Sequence, residues 1–172
     1  MARYGTRVVS QTAQLAGAPS GLTVNGYIGY WGASATAGFR LRRVKVGVRT
    51  TTASVPISQQ LEVAVFRQTV APAGTGLVAA QLGEAFEIWT PADPTVGAIV
   101  TNATAIGTTG PTINANPLAA VTANTQGYED VPWEFMEEIV CNKGTANGIA
   151  FVNIGQTLPA AHFIVLDIEV EV

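Results

Sequence analysis

Charge is the first thing this sequence lacks. Asp, Glu, Lys and Arg make up 12% of its 172 residues, against about 25% in an average soluble domain. Histidine and cysteine occur once each, as His162 and Cys141. A His-based triad needs a nucleophile, the His and an orienting acid, and no nucleophile-elbow motif accompanies the serines. Zinc draws on clustered His and Cys, which one of each cannot supply. No phosphate-binding glycine loop and no EF-hand pattern occurs. The acidic pairs Glu129-Asp130 and Glu137-Glu138 read as a solvated rim, since glycosidic chemistry needs two carboxyls facing each other across a cleft. No catalytic residue, metal or cofactor is therefore expected, and the chain reads as a non-enzyme. His162 reads as a residue at a strand start. Cys141 reads as a small buried hydrophobe with no partner for an internal disulfide.

Long apolar runs are missing as well. Val8 to Phe39 and Pro94 to Tyr128 contain no charged residue, but Gly, Thr, Asn and Pro interrupt both, so neither is expected to span a bilayer. The opening Met-Ala-Arg-Tyr-Gly has no apolar stretch behind its basic residue, and no secretory leader is expected. Isolated soluble domains carry mixed surface charge. Neutral runs of this length read either as surface that something covers or as Thr/Gly-rich loops.

What is present alternates. Ile164, Leu166, Ile168, Val170 and Val172 share one side of a two-residue period, and Asp167, Glu169 and Glu171 share the other. That is a strand with one buried face and one acidic face, and such a strand is held only by pairing inside a sheet. Phe39–Thr50 is its basic counterpart, with Val44, Val46 and Val48 on one side and Arg43, Lys45 and Arg49 on the other. Were the two strands neighbours, their faces would form cross-strand ion pairs. By strict alternation Arg40 and Arg42 fall opposite Arg43 and Lys45, which splits the basic cluster between two faces. With an acidic chain of pI about 5.0, that argues against nucleic acid, whose binders show a dominant basic footprint.

Further strands are expected at Arg3–Leu15, as an arm or edge strand, and at Tyr27–Trp31. In Gln59–Thr69, Leu61, Val63 and Val65 point inward and Glu62 outward. Leu118–Thr122 and Ile149–Ile154 follow, the latter after the turn Asn142–Gly148. Leu77–Trp89 reads as a helix or as two short strands split at Gly83, with the strands preferred. Asp130–Val140 stays open between helix and strand. Short strands between turns indicate an all-β sandwich or barrel, here an antiparallel β-sandwich in a single domain spanning 1–172. Basic residues crowd the first 67 positions, at 8 − 1 = +7, and acids the rest, at 1 − 11 = −10.

Taken together, Val131-Pro-Trp-Glu-Phe135, Gly148-Ile-Ala-Phe-Val-Asn-Ile154 and Leu158–Val172, with Phe39–Thr50 and Gln59–Arg67 before them, resemble small virion structural proteins of tailed bacteriophages. The resemblance runs in order over about two thirds of the chain and does not reach Leu77–Ile113. It implies a jelly-roll-like sandwich, a capsid decoration or cement role at the phage head surface, and synthesis in the host cytoplasm. It also implies association with the major capsid protein or other virion proteins and with itself, as a trimer. It carries no catalytic residues. The charge asymmetry and the neutral N-terminal run point to residues 1–37 as an arm or edge that reaches a neighbour. In it Val8, Val9, Leu15 and Leu22 would be buried, and Arg3 and Arg7 would orient the contact. The alternative is a carbohydrate- or receptor-binding sandwich of a tail or other surface structure, which would use Tyr27, Tyr30 and Trp31 as exposed aromatics.

Overall fold

Strand β13 (His162–Glu171) lies inside a sheet, between β3 (Phe39–Thr50) and β1 (Arg3–Val9), antiparallel to both. Its alternation does what the pattern requires. Ile164, Leu166, Ile168 and Val170 are buried, while Asp167 and Glu169 stay half-exposed on the other face. A computed structural model of the chain describes residues 3–10, 27–33, 35–51, 57–70, 78–79, 86–87, 99–101, 112–132 and 138–172. Leu15, Leu22, Trp89 and Trp133 lie outside the described residues.

Two antiparallel sheets stack. The remaining strands are β2 (Tyr27–Gly32), β4 (Gln60–Val70), β5 (Val78–Ala79), β6 (Phe86–Glu87), β7 (Ile99–Thr101) and β8 (Thr112–Ile113), followed by β9 (Ala119–Asn124), β10 (Tyr128–Pro132), β11 (Ile139–Cys141) and β12 (Gly148–Asn153). The first sheet runs β10-β3-β13-β1-β6, with β11 also on β3. The second runs β5-β7-β2-β12-β4-β8, with β9 also on β4. Among the long strands β1 pairs with β13, β2 with β12, β3 with β10 and β4 with β9, all antiparallel, and these pairs fall alternately in the first and second sheet. Leu77–Trp89 holds two short strands, one on each side of Gly83, as preferred. Asp130–Val140 is strand at both ends, as β10 and β11, and its residues 133–137 lie outside the described set.

The core between the sheets takes the inward residues of both, among them Val8, Ile28, Trp31, Leu41, Val46, Leu61, Phe151 and Leu166. Burial does not stop there. Ala64, Phe66 and Val152, on the opposite face of the second sheet, are fully buried, with Ile113 and Ile154 packed on them. β12 is buried at all six positions, which is why its sequence runs apolar instead of alternating. The turn 142–148 is held by the Asn147 side chain, which donates to the carbonyls of Lys143 (2.9 Å) and Asn142 (3.3 Å). Gly144 sits there at φ 132°, a conformation that L side chains rarely adopt.

Candidate functional site

One irregularity organises the exposed face of the first sheet. In the β3–β13 ladder Glu169 faces Arg43 but Val170 faces Leu41, so Arg42 is an extra residue on β3. A bulge of this kind shifts the phase of alternation. Phe39 and Leu41 point into the core before it, and Val44 and Val46 after it. Arg40, Arg42, Arg43 and Lys45 therefore all leave on the outer face. The split expected from strict alternation does not occur, because that reading assumed an unbroken period of two.

Acidic strands flank this basic one, β13 on one side and β10 on the other. Arg7 on β1 donates from Nε to Asp167 Oδ1 at 2.7 Å and from its second nitrogen to Oδ2 at 3.0 Å. Arg43 grips Asp130 with both nitrogens, at 2.6 Å from Nε, and reaches Glu169 at 4.0 Å. That grip raises the basicity of Arg43 and holds the Asp130 carboxyl below the usual carboxylate range, through the hydrogen bond first and the charge of Arg43 after it. Arg49 caps the row with its guanidinium over the Phe163 ring, 5.3 Å from the centroid. The cross-strand ion pairs expected between β3 and β13 are thus present, and a second acidic strand joins them.

The bulge residue has a different environment. Arg42 donates from Nε to Glu171 at 2.5 Å and lies 3.5 Å from Glu138, whose other oxygen accepts from Arg40 at 2.9 Å. The side chains of Arg42, Glu138 and Glu171 are only 11%, 5% and 8% exposed. Glu171, expected on an exposed acidic face, is instead tucked under this arginine. Beside it opens a groove of about 470 Å3, lined by Gly38–Arg40, Val140–Lys143, Glu171 and Val172. At Gly38 a Cβ would come within 2.3 Å of the Cys141 carbonyl, so only glycine fits that wall.

The residues expected to face a neighbour divide. Arg7 is well exposed but already holds Asp167. Val8 is fully buried in the chain's own core, and Val9 is half-buried on the charged face. The reason is pairing: β1 is hydrogen-bonded along its whole length to β13, and at Tyr4 and Gly5 to β6 as well. The first part of the expected arm is therefore a strand of the chain's own sheet. Leu15 and Leu22, and the side chains of Arg3, Tyr27 and Tyr30, lie outside the described residues. Trp31 is 1% exposed, with its ring 6.1 Å from that of Phe39, so it is not the exposed aromatic of the sugar-binding alternative.

His162 is buried, and the backbone engages both ring nitrogens. Nε2 accepts from the Ile57 N–H at 3.3 Å, which leaves Nδ1 as the donor to the Ala160 carbonyl at 3.0 Å. Cys141 is buried too, and burial pushes its thiol up to about 11 against a weaker opposite pull from Arg67. Among the described residues no group of three or more His, Cys, Asp or Glu could hold a metal ion. What the sequence reading missed is the bulge and the network of Arg40, Arg42, Glu138 and Glu171. The only advance signal was a cluster of four bases too dense for one face of a regular strand. No protein-family model and no curated protein sequence matches this chain.

Proposed function

We propose that this chain is a non-enzymatic virion structural protein, a decoration or cement subunit on the head of a tailed bacteriophage, built as a jelly roll. The pairing of β1 with β13, β2 with β12, β3 with β10 and β4 with β9 carries the reading. Eight long strands fall into two sets of four, β10-β3-β13-β1 and β2-β12-β4-β9, and double-sheet jelly rolls of eight strands recur in viral capsid and lectin domains. Fold alone does not assign function, and here two further observations favour the capsid reading over the lectin one. Of the three aromatics offered for a sugar platform, Tyr27, Tyr30 and Trp31, the last is buried. The chain is also poor in charge over long runs, which lowers the desolvation cost of covering surface with neighbours. On a lattice, many such weak contacts act together. The partners are then the major capsid protein and further copies of the chain, at the outer surface of the head.

The test is reconstitution. The purified chain, added to heads that lack it, is expected to bind saturably at a fixed ratio to the capsid subunit and to raise the temperature at which the heads rupture. Failure to bind, together with retention on immobilised glycans, would overturn the proposal in favour of the sugar-binding reading.

A further inference from the structure

We infer that the outer face of the first sheet recognises the same face of a second copy of this chain, about a two-fold axis that runs parallel to the strands between β3 and β13. This goes beyond the capsid role and does not depend on it. Strand register aligns the outward residues of β10, β3, β13 and β1 in rows across the sheet. One row reads Asp130, Lys45, Asp167, Arg7. Half a turn about the proposed axis reverses it, so that Asp130 faces Arg7 of the second copy and Lys45 faces Asp167 of the second copy. Every charge in the row then meets its opposite.

The neighbouring rows behave the same way. Pro132, Arg43, Glu169, Gly5 sets Arg43 against Glu169 and Pro132 against Gly5. Tyr128, Gly47, Val165, Val9 sets Tyr128 against Val9 and Gly47 against Val165, apolar on apolar. Tyr128 is 63% exposed in the isolated subunit and gains cover. Arg49 and Phe163, opposite each other in register, exchange partners, so a guanidinium again lies over a ring. The other in-plane two-fold, running across the strands through the first row, would set Asp on Asp and Lys on Lys. Charge complementarity therefore selects the axis parallel to the strands, and this symmetry is two-fold where the resemblance implied a trimer.

Lys45 is the sharpest indicator. It lies in register between Asp130 and Asp167 but forms no ion pair among the described residues, because Arg43 holds the first and Arg7 the second. In the paired arrangement it meets an Asp167 from outside its own chain. The interface is small. Four strands about 4.8 Å apart and four rows about 6.8 Å apart make a face of roughly 500 Å2. Two copies bury about 1,000 Å2, just below the range of stable complexes. The dimer is accordingly weak, and because like sheets stack with an offset of about 30°, the two central strands contribute most.

Sedimentation velocity on the full chain, from micromolar to hundreds of micromolar, tests this. At low salt a species of twice 17.9 kDa is expected, and its dissociation constant should rise on the order of tenfold at high salt, since exposed charges are screened. Lys45→Glu sets an acid against Asp167 of the second copy, and Asp167→Lys sets a cation against Lys45 of the second copy. Each variant alone should dimerise on the order of tenfold to a hundredfold more weakly. Mixed together they should form a heterodimer as tight as wild type, because both contacts become attractive again, which a merely structural role would not produce. Circular dichroism checks folding of each variant; should Asp167→Lys not fold, Lys45→Glu alone decides. A wild-type chain that stays monomeric at low salt, a dimer indifferent to salt and to Lys45→Glu, or a mixture of folded variants no tighter than its components would each overturn the inference.

Discussion

Removing Arg42 has a different consequence from removing the other arginines of β3. Arg40 and Arg43 are each partly exposed, whereas Arg42 lies between two buried carboxylates. Arg42→Leu leaves Glu138 with Arg40 but strands Glu171, and an unpaired buried charge costs about 3 kcal/mol or more. Urea denaturation measures this; a loss below about 1 kcal/mol would place the network in water, like an ordinary surface pair. Asp130 gives a pH signature. Its folded pKa is depressed by Arg43, so its contribution is present above the unfolded value of about 3.9 and is lost as pH falls through the folded one. Asp130→Asn should therefore destabilise by up to about 1 kcal/mol at neutral pH, and the gap to wild type should close below about pH 4. A gap that stays constant through acid would mean the pair contributes nothing. Cys141, with its thiol pushed up to about 11, is thiolate in about one molecule per thousand at pH 8. Alkylation by iodoacetamide should be slow in the native protein and fast in urea; rapid native labelling would contradict its burial.

At the scale of elements, β13 and β4 carry the heaviest demands. Leu166→Asp places an unpaired carboxylate in the core between the sheets, at a cost of several kcal/mol, and the variant should not fold. Phe66 makes a different point, because it faces away from that core yet is fully buried. Phe66→Ala should cost about 3–5 kcal/mol; a surface-like loss below about 0.5 kcal/mol would show that this face is open. Strands were legible where the sequence alternates. Phe39–Thr50, Gln60–Val70 and His162–Glu171 show the period of two, and their bounds follow it closely. Legibility failed at Arg42, because a bulge is a register event between two strands, and the density of bases over Arg40–Lys45 does not say which residue is the extra one. It failed also for the far face of the second sheet. Ala64 and Phe66 fall on the side opposite Leu61, Val63 and Val65, and alternation says nothing about what covers that side.

For the whole molecule, the separation of charge along the chain becomes neutralisation across the sheet. The ion pairs Arg7–Asp167, Arg40–Glu138, Arg42–Glu138, Arg42–Glu171, Arg43–Asp130 and Arg43–Glu169 all join the basic first part of the chain to the acidic last part. If exposed pairs stabilise modestly but fix register, a single charge reversal at Arg43 should lower stability by no more than about 1 kcal/mol and still impair self-association. Sedimentation and thermal melts on Arg43→Glu separate the two effects; equal dimerisation would contradict the two-fold arrangement. The sequence by itself determined the β class and the inward faces wherever the period of two is unbroken, because these depend on residue type and local period. The tertiary structure decided which strands are neighbours, that β1 is a strand of the chain's own sheet along its whole length, that four bases share one face, and that Trp31 is core. Those depend on pairing between residues as distant as Arg7 and Asp167, and pairing partners are chosen by the burial and register of the whole sheet, which no local window contains.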